Sequence, residues 1–226
     1  MDLYTRLNLL VLALPLALSF DRKVAFWRQW PRVLPAIAAV VAVFGTWDVW
    51  KTSQGVWGFN PVYAGEIRLG QLPPGEWLFF ICVPYACLFI LACVRAYFRD
   101  RRFRIPRGAV FAGAGLLAVA AWGLRGRVYT ASVVASVAIV LAALELAVPA
   151  TLRSRNFWAA LGLTYLPFLV VNGVLTGLPV VWYDDTQILG IRIGRIPLED
   201  FFYSFSMLAL AVLVQDRAGR RGRGAA

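Results

Sequence analysis

The chain has 226 residues, of which 60% are hydrophobic and 15% are charged, and its mean hydropathy is +0.68. Soluble domains are about half apolar and a quarter charged, so this composition excludes an ordinary soluble protein and predicts an integral membrane protein. The formal net charge is +11. Because the basic residues cluster between apolar stretches, we assign them to membrane topology and expect no nucleic-acid partner.

The residue types present in the chain limit the cofactors and reactions that it can use. The chain contains no histidine, which is the commonest general base, haem ligand and ligand of catalytic zinc. Its two lysines, Lys23 and Lys51, lie outside the last predicted membrane span, so a retinal Schiff base there is excluded. Cys82, Cys87 and Cys93 follow no metal or redox spacing, and no GxGxxG motif precedes a strand and a helix, as a dinucleotide-binding domain would have it. We therefore expect neither a metal nor a cofactor.

Hydropathy predicts seven transmembrane helices. They lie near residues 3–20, 31–47, 77–94, 106–123, 128–148, 157–175 and 199–215. Arginine-rich segments follow the first, third, fifth and seventh of these helices. The positive-inside rule then places the N-terminus outside and the C-terminus in the cytoplasm, with the protein in the cell (inner) membrane.

An internal repeat is the most informative feature of the sequence. Residues 67–79 align without gaps with residues 191–203, an offset of 124, and the same offset places Asp48 on Asn172. Four predicted helices, an even number, separate equivalent positions, so the two units have the same orientation. In such parallel repeats the site is expected between the halves.

The repeat divides the chain into parts. We predict an all-α integral membrane fold of two parallel three-helix repeats joined by a connector helix. The predicted parts are a first repeat over 1–95, the connector over 96–127, a second repeat over 128–216 and a basic cytoplasmic tail over 217–226.

In both units a proline precedes an acidic residue that opens an aromatic-rich helix. Acids in a first turn are ordinary helix-start chemistry, but carboxyl groups at membrane depth are costly and usually functional. A desolvated carboxyl group can act as an acid, and aromatic faces stabilise a cation. Glu145, inside the fifth span, is open between a functional role and an ion pair with Arg153 or Arg155.

Several stretches resemble the membrane-integral lycopene cyclases, which include heterodimeric bacterial enzymes and the cyclase half of fungal bifunctional enzymes. The stretches are residues 45–50, 55–61, 73–80 and 196–203. The resemblance implies a fused form with both units on one chain. The family motif, Pro-x-Glu-Glu or Pro-x-Glu-Asp, is intact as Pro197, Glu199 and Asp200. The first copy has Gly75 before Glu76, so Glu199 is the leading candidate and a glutamate at position 75 is expected to be accommodated.

The resemblance implies cyclisation of the ends of a linear carotenoid such as lycopene into ionone-type rings, without redox change. A carboxylic acid protonates the terminal alkene, a second double bond attacks the cation, and a carboxylate removes a proton. Such a site needs an acid, a base and apolar walls. The expected catalytic residues are Glu199, Asp200, Glu76 and Asp48, and the expected substrate-binding residues are Trp77, Phe79, Phe80, Phe201, Phe202, Tyr203 and Asn172.

Two alternatives stay open. A carotenoid 1,2-hydratase would form the same cation and let water capture it, and a carotenoid-binding membrane subunit would catalyse nothing. The expected partners are a linear carotenoid and the lipid bilayer. Association with a second copy or with other enzymes of the carotenoid pathway is left open, as are the ring type and the number of ends that react.

Overall fold

The computed structural model describes residues 1–224, which are mostly helical. The helices are α1 (Leu3–Leu18), α2 (Trp30–Val40), α3 (Thr46–Ser53), α4 (Pro61–Ala64), α5 (Pro74–Tyr97), α6 (Arg107–Gly123), α7 (Val128–Ala147), α8 (Ala150–Arg153), α9 (Arg155–Gly177) and α10 (Leu198–Gly224). The short strands are β1 (Trp57–Phe59), β2 (Val181–Tyr183), β3 (Arg192–Ile193) and β4 (Ile196–Pro197). A 3-10 turn, Phe26–Gln29, leads into α2, and a π-helical turn, Val41–Gly45, joins α2 to α3.

Helices occupy all seven predicted membrane segments, but they differ in length. Within residues 1–224, five segments are long and apolar enough to cross a membrane: Phe26–Ser53, Pro74–Tyr97, Val128–Ala147, Arg155–Gly177 and Leu198–Gly219. The apolar helices α1 and α6 have 16 and 17 residues, or about 24–26 Å, somewhat less than a hydrocarbon core of about 30 Å.

The helix starts follow from local sequence chemistry. The Asp2 carboxylate accepts a hydrogen bond from the Thr5 amide at 2.8 Å and caps α1, and the Ser154 hydroxyl accepts one from the Phe157 amide at 3.2 Å and caps α9. Pro74 is the first residue of α5, a position whose N–H group has no partner within the helix, so the missing N–H of proline costs no hydrogen bond. The acidic motifs therefore sit in the first turns of α5 and α10.

Helices α5 and α10 form the centre of the molecule. Helix α5 packs against α1, α2, α9 and α10, and α10 packs against α2 and α7 as well. Helix α6, which lies within the predicted connector 96–127, packs against α7. The centres of α5 and α10 are buried at Leu88 and Met207, so the first turns of both helices are held at one end of a common core.

The two halves meet in a small antiparallel sheet at that end. Strand β1 pairs with β2, with Trp57 opposite Tyr183 and Gly58 opposite Trp182. A Cβ atom on Gly58 would lie 2.4 Å from the Trp182 indole, so any larger residue there requires the indole to move. Strand β4, paired with β3, leads directly into α10. The sheet therefore covers the ends of the helices that carry the acids.

Ion pairs join the helices at the opposite end. The Arg153 guanidinium donates to the Glu145 carboxylate at 2.8 Å. Of the two roles left open for Glu145, the structure therefore shows the ion pair. Arg95 at the end of α5 pairs with Asp216 of α10 at 3.0 Å. Helix α10 continues to Gly224, into the predicted tail 217–226, and residues 225 and 226 lie outside the described part of the chain.

Candidate active site

A cavity of about 410 Å³ lies beside α5, between α1, α9 and the start of α10. Asp48, Glu76 and Asp200 line it, and their exposed fractions are 4%, 7% and 5%. Most of the remaining lining is aliphatic or aromatic. Three buried acids in an otherwise apolar cavity form the candidate site, since carboxyl groups are seldom buried without a functional or structural partner.

The first acid group joins both halves of the chain. The Tyr4 hydroxyl of α1 donates to Glu76 Oε2 at 2.6 Å, and the carboxyl groups of Glu76 and Asp48 lie close enough to interact with each other. The Tyr203 hydroxyl of α10 donates to Asp48 Oδ1 at 3.0 Å. Because an ionised carboxylate only accepts hydrogen bonds, two such carboxyl groups can share a hydrogen bond only when one of them carries a proton.

The second acid group is built around Asp200. The Tyr129 hydroxyl donates to Asp200 Oδ1 at 2.6 Å, while the Asn172 amide and the Tyr183 hydroxyl donate to Oδ2 at 2.8 and 2.9 Å. Burial, followed by the charge of Asp200, raises the pKa of Tyr183 well above its ordinary value, so this phenol stays a donor. Three donors around one carboxyl group match the hydrogen-bonding needs of an ionised carboxylate.

The two acid groups have equivalent residues at equivalent positions, but they differ in the residue that lies beside the central acid. Glu76 and Asp200 are 124 residues apart, and so are Asp48 and Asn172. A tyrosine of an earlier helix donates to each central acid. The neighbour of Glu76 is a carboxyl group, whereas the neighbour of Asp200 is an amide. One group therefore places two carboxyl groups side by side, and the other surrounds a single carboxyl group with hydrogen-bond donors.

Six of the predicted site residues line the cavity: Asp48, Glu76, Asp200, Phe79, Asn172 and Tyr203. The other predicted aromatic residues lie outside the lining. The Trp77 indole donates to the Leu69 carbonyl at 2.9 Å, Phe80 is fully buried in the core, and Phe202 is 46% exposed. Phe201 packs against Phe168. Successive helical residues point about 100° apart, so one aromatic cluster cannot present every ring to one cavity.

Glu199 lies behind the cavity lining. Its Oε1 accepts hydrogen bonds from the Thr130 hydroxyl at 2.5 Å and from the Leu189 amide at 2.6 Å, and its Oε2 is buried without a hydrogen-bond partner. Glu199 thus contacts the first turn of α7 and the loop after β2. In this position it adjoins Asp200 in sequence but faces a different side of α10.

Gly75, the equivalent of Glu199 in the first unit, corrects one expectation. A Cβ atom at this position would lie 2.8 Å from Cγ of Tyr4, and the Gly75 carbonyl accepts a hydrogen bond from the Asn8 side chain at 2.8 Å. A glutamate at position 75 is therefore not accommodated without moving Tyr4, because α1 and α5 approach too closely.

Sequence reasoning missed the tyrosines that hold the acids. Tyr4, Tyr129 and Tyr183 all line the cavity. A signal was present for two of them, since the dipeptide Tyr-Thr occurs at residues 4–5 and again at 129–130, close to the offset of the repeat. Trp57 and Phe59 of β1 also line the cavity; Trp57 packs edge-on to Tyr129 and Phe59 stacks on Tyr4.

Comparison with known proteins identifies the family of the chain. A family model described as Lycopene cyclase matches residues 1–94 and 126–217, which cover nearly all of both predicted repeats and leave out the whole of α6. No curated protein and no solved structure matches the chain. Among residues 1–224, no group of three or more histidine, cysteine or acidic side chains is placed to hold a metal ion. Because the family match covers most of the sequence, and helices of membrane length agree with it, the chain belongs to the lycopene cyclase family, a family of carotenoid-cyclising membrane enzymes.

Proposed function

We propose that this enzyme closes the end groups of a linear carotenoid into ionone-type rings by proton transfer, as an isomerase without net redox change. The observation that carries the proposal is the presence of a carboxyl pair and a separate carboxylate in one apolar cavity. The reaction adds one proton to the substrate and removes another, so it needs one group to give a proton and one to take it.

The pair formed by Asp48 and Glu76 is suited to give the proton. Two buried carboxyl groups in contact repel each other when both are ionised, so one shared proton is favoured. Tyr4 and Tyr203 hold the pair from opposite sides. Transfer of this proton to the terminal C1=C2 alkene leaves a cation at C1, which the C5=C6 bond attacks to form the ring bond between C1 and C6.

The Asp200 carboxylate is suited to take the proton back. After ring closure the charge lies at C5, and loss of a proton from the ring restores a double bond. Asp200 accepts that proton, and its return to the pair formed by Asp48 and Glu76 resets the site, so atoms and charge balance over the cycle. No electrons leave the substrate, and the proposal therefore includes no cofactor and no metal.

The cavity wall favours ring closure over capture by water. Trp57, Phe59 and Phe79 join Tyr129 and Tyr183 in the lining, and aromatic faces stabilise a nearby cation. The sheet of β1 and β2 covers this end of the cavity. A water-poor environment protects a reactive cation from hydration, which is why cyclase is preferred to hydratase.

Glu199 is assigned a positioning role in this proposal. It fixes Thr130, the neighbour of Tyr129, and the loop residue Leu189 through one carboxyl oxygen. Tyr129 in turn donates to Asp200. Glu199 would then act on the reaction through the placement of the base.

The proposed architecture has seven transmembrane helices in two parallel units on one fused chain, in the inner membrane with the N-terminus outside. The pairing of equivalent segments supports it: β1 and β2 are 124 residues apart, and the contact between Leu69 and Leu72 recurs between Ile193 and Ile196. The arginine-rich segments at the other end support a cytoplasmic C-terminus.

Product analysis in a lycopene-accumulating host tests the function. Cyclic carotenoids are expected from the wild-type chain and none from the Glu76→Gln variant at equal membrane abundance. Tertiary alcohols would identify a hydratase, and unchanged lycopene bound to the purified protein would identify a binding subunit.

A further inference from the structure

The cavity extends from the acids into the membrane along one face of α5. Glu76 and Phe79 line its first part, and Val83, Ala86 and Ile90 continue the lining. These positions recur every three or four residues and so share one helix face. From Glu76 to Ile90 the face runs about 21 Å at about 1.5 Å per residue. The site is therefore the end of a long apolar groove.

The groove is open on one side. Leu10 and Leu14 of α1 line it, yet 70% and 66% of their surface is exposed. Across the opening, Pro167 and Val171 of α9 form the other edge. Helices α1 and α9 both pack against α5 and leave the groove between them. At this depth in a membrane protein the exposed face of these helices meets lipid tails.

Aromatic packing closes the far end of the groove. Phe26, which is fully buried, lies edge-on to Tyr85 and Phe89 of α5 with ring centroids 5.3 and 5.6 Å away. Phe89 and Ile90 belong to the cavity lining. A chain that lies along α5 therefore has its exit sideways, between α1 and α9.

The equivalent face of α10 is filled. The offset of 124 places Val83 on Met207 and Cys87 on Ala211, which are 1% and 0% exposed. Phe44, the equivalent of Phe168, packs edge-on to Tyr203 with centroids 5.1 Å apart. Within residues 1–219, the face of α5 thus forms an open groove beside an acid cluster drawn from both units, whereas the equivalent face of α10 does not.

We propose that this groove binds the hydrocarbon tail of a long linear polyisoprenoid, which enters from the bilayer between α1 and α9 and is processed one end at a time. The inference rests on the proposed function for the identity of the reacting end. The groove has an apolar lining and opens towards lipid, so it favours an occupant that is a hydrocarbon over its whole length. The acids lie at the end of the groove that the sheet covers, where they meet the end of that hydrocarbon. The rest of the molecule stays in the bilayer.

Variants at the mouth of the groove test this. Leu14→Trp places a large ring in the opening at a position exposed enough to spare the fold, and Ala86→Trp fills the groove itself. Val170→Trp is the matched control, because Val170 lies on α9, is 67% exposed and is absent from the lining. Each protein is reconstituted in vesicles that contain lycopene, and two quantities are measured: the lycopene retained on repurification and the initial rate against lycopene content.

We expect Leu14→Trp to raise the half-saturating lycopene content about tenfold, the effect of a modest steric penalty, and to lower retention, with Val170→Trp unchanged. Unchanged retention and rates in both groove variants, or equal losses in the control, would overturn the inference. If wild-type protein retains lycopene without making rings and Leu14→Trp loses that retention, the groove stands and the proposed reaction fails.

Discussion

Gly58 and Trp182 face each other across the sheet of β1 and β2 although they are 124 residues apart, the separation that also relates Glu76 to Asp200. A two-fold rotation that exchanges the halves of the chain would leave this pair in place. The pair therefore marks where the proposed symmetry axis would pass, directly beside the acids. Equivalent acids on either side of such an axis can serve a single composite site.

The two central acids are predicted to be equally necessary. Glu76→Gln and Asp200→Asn should each lower the rate of ring formation by at least about 100-fold, since proton transfer by a placed group contributes about 10²–10⁴. Rates of ring formation in membranes of equal protein content check this. The sequence motif alone predicts a milder effect of Glu76→Gln than of Glu199→Gln, but Glu76 lines the cavity and Glu199 does not. Asp185→Asn, at an exposed side chain, is the control, and a near-normal rate for either acid variant would contradict a composite site.

Two substitutions of Glu199 distinguish a positioning role from a role in proton transfer. Glu199→Gln keeps an acceptor oxygen for Thr130 and Leu189 and should retain most activity, whereas Glu199→Ala removes it and should lower activity markedly. The comparison of the two rates, at equal protein in the membrane, is the measurement. Complete loss in the glutamine variant, with normal insertion, would instead make Glu199 the proton donor that the sequence motif favours.

Tyr4 and Tyr129 are predicted to assist proton transfer by Glu76 and Asp200, respectively. Tyr4→Phe and Tyr129→Phe each remove a hydrogen bond to a carboxyl group. Such bonds contribute about 1.5–3 kcal/mol, so each variant should slow turnover about 10–100-fold while substrate retention stays unchanged. Tyr97→Phe, at a half-exposed ring, should match the wild type. Loss of retention rather than of turnover would assign the tyrosines to binding.

Gly75 is predicted to be required for the contact between α1 and α5. Gly75→Ala should push the Tyr4 ring away and lower the free energy of unfolding by about 1–3 kcal/mol, as overpacking does. Gly113→Ala, whose added Cβ meets nothing within 4 Å, is the matched control in α6. Thermal unfolding in detergent compares the two, and a stable, active Gly75→Glu variant would contradict the close approach.

Membrane orientation is tested by labelling single cysteines in intact cells, in a background where the three native cysteines are alanine. Asp185→Cys, on the loop after β2, should react with an impermeant thiol reagent, and Arg99→Cys, on the loop after α5, should not. The reverse labelling pattern would place the acids at the cytoplasmic face.

Much of the architecture could be predicted from sequence because its signals are local. Apolar stretches report burial in lipid wherever they occur, so helices were found at every predicted segment, and the family resemblance is confirmed by a match over both halves. Helices α1 and α6 are shorter than the predicted segments 3–20 and 106–123, since hydropathy reports composition more accurately than helix ends. The offset of 124 likewise needs no structure to detect.

Only the tertiary structure decided which of the candidate site residues contact one another. The sequence by itself determined a helical membrane protein with repeated acidic motifs and placed Asp48, Glu76 and Asp200 among its candidates. It could not tell Asp200 from Glu199, because neighbouring residues on a helix point about 100° apart and only packing shows which direction is the cavity. Nor could it join Tyr4 to Glu76 across 72 positions, or Tyr203 to Asp48 across 155. Those contacts, and the groove that opens on one of two similar faces, arise from how whole helices pack.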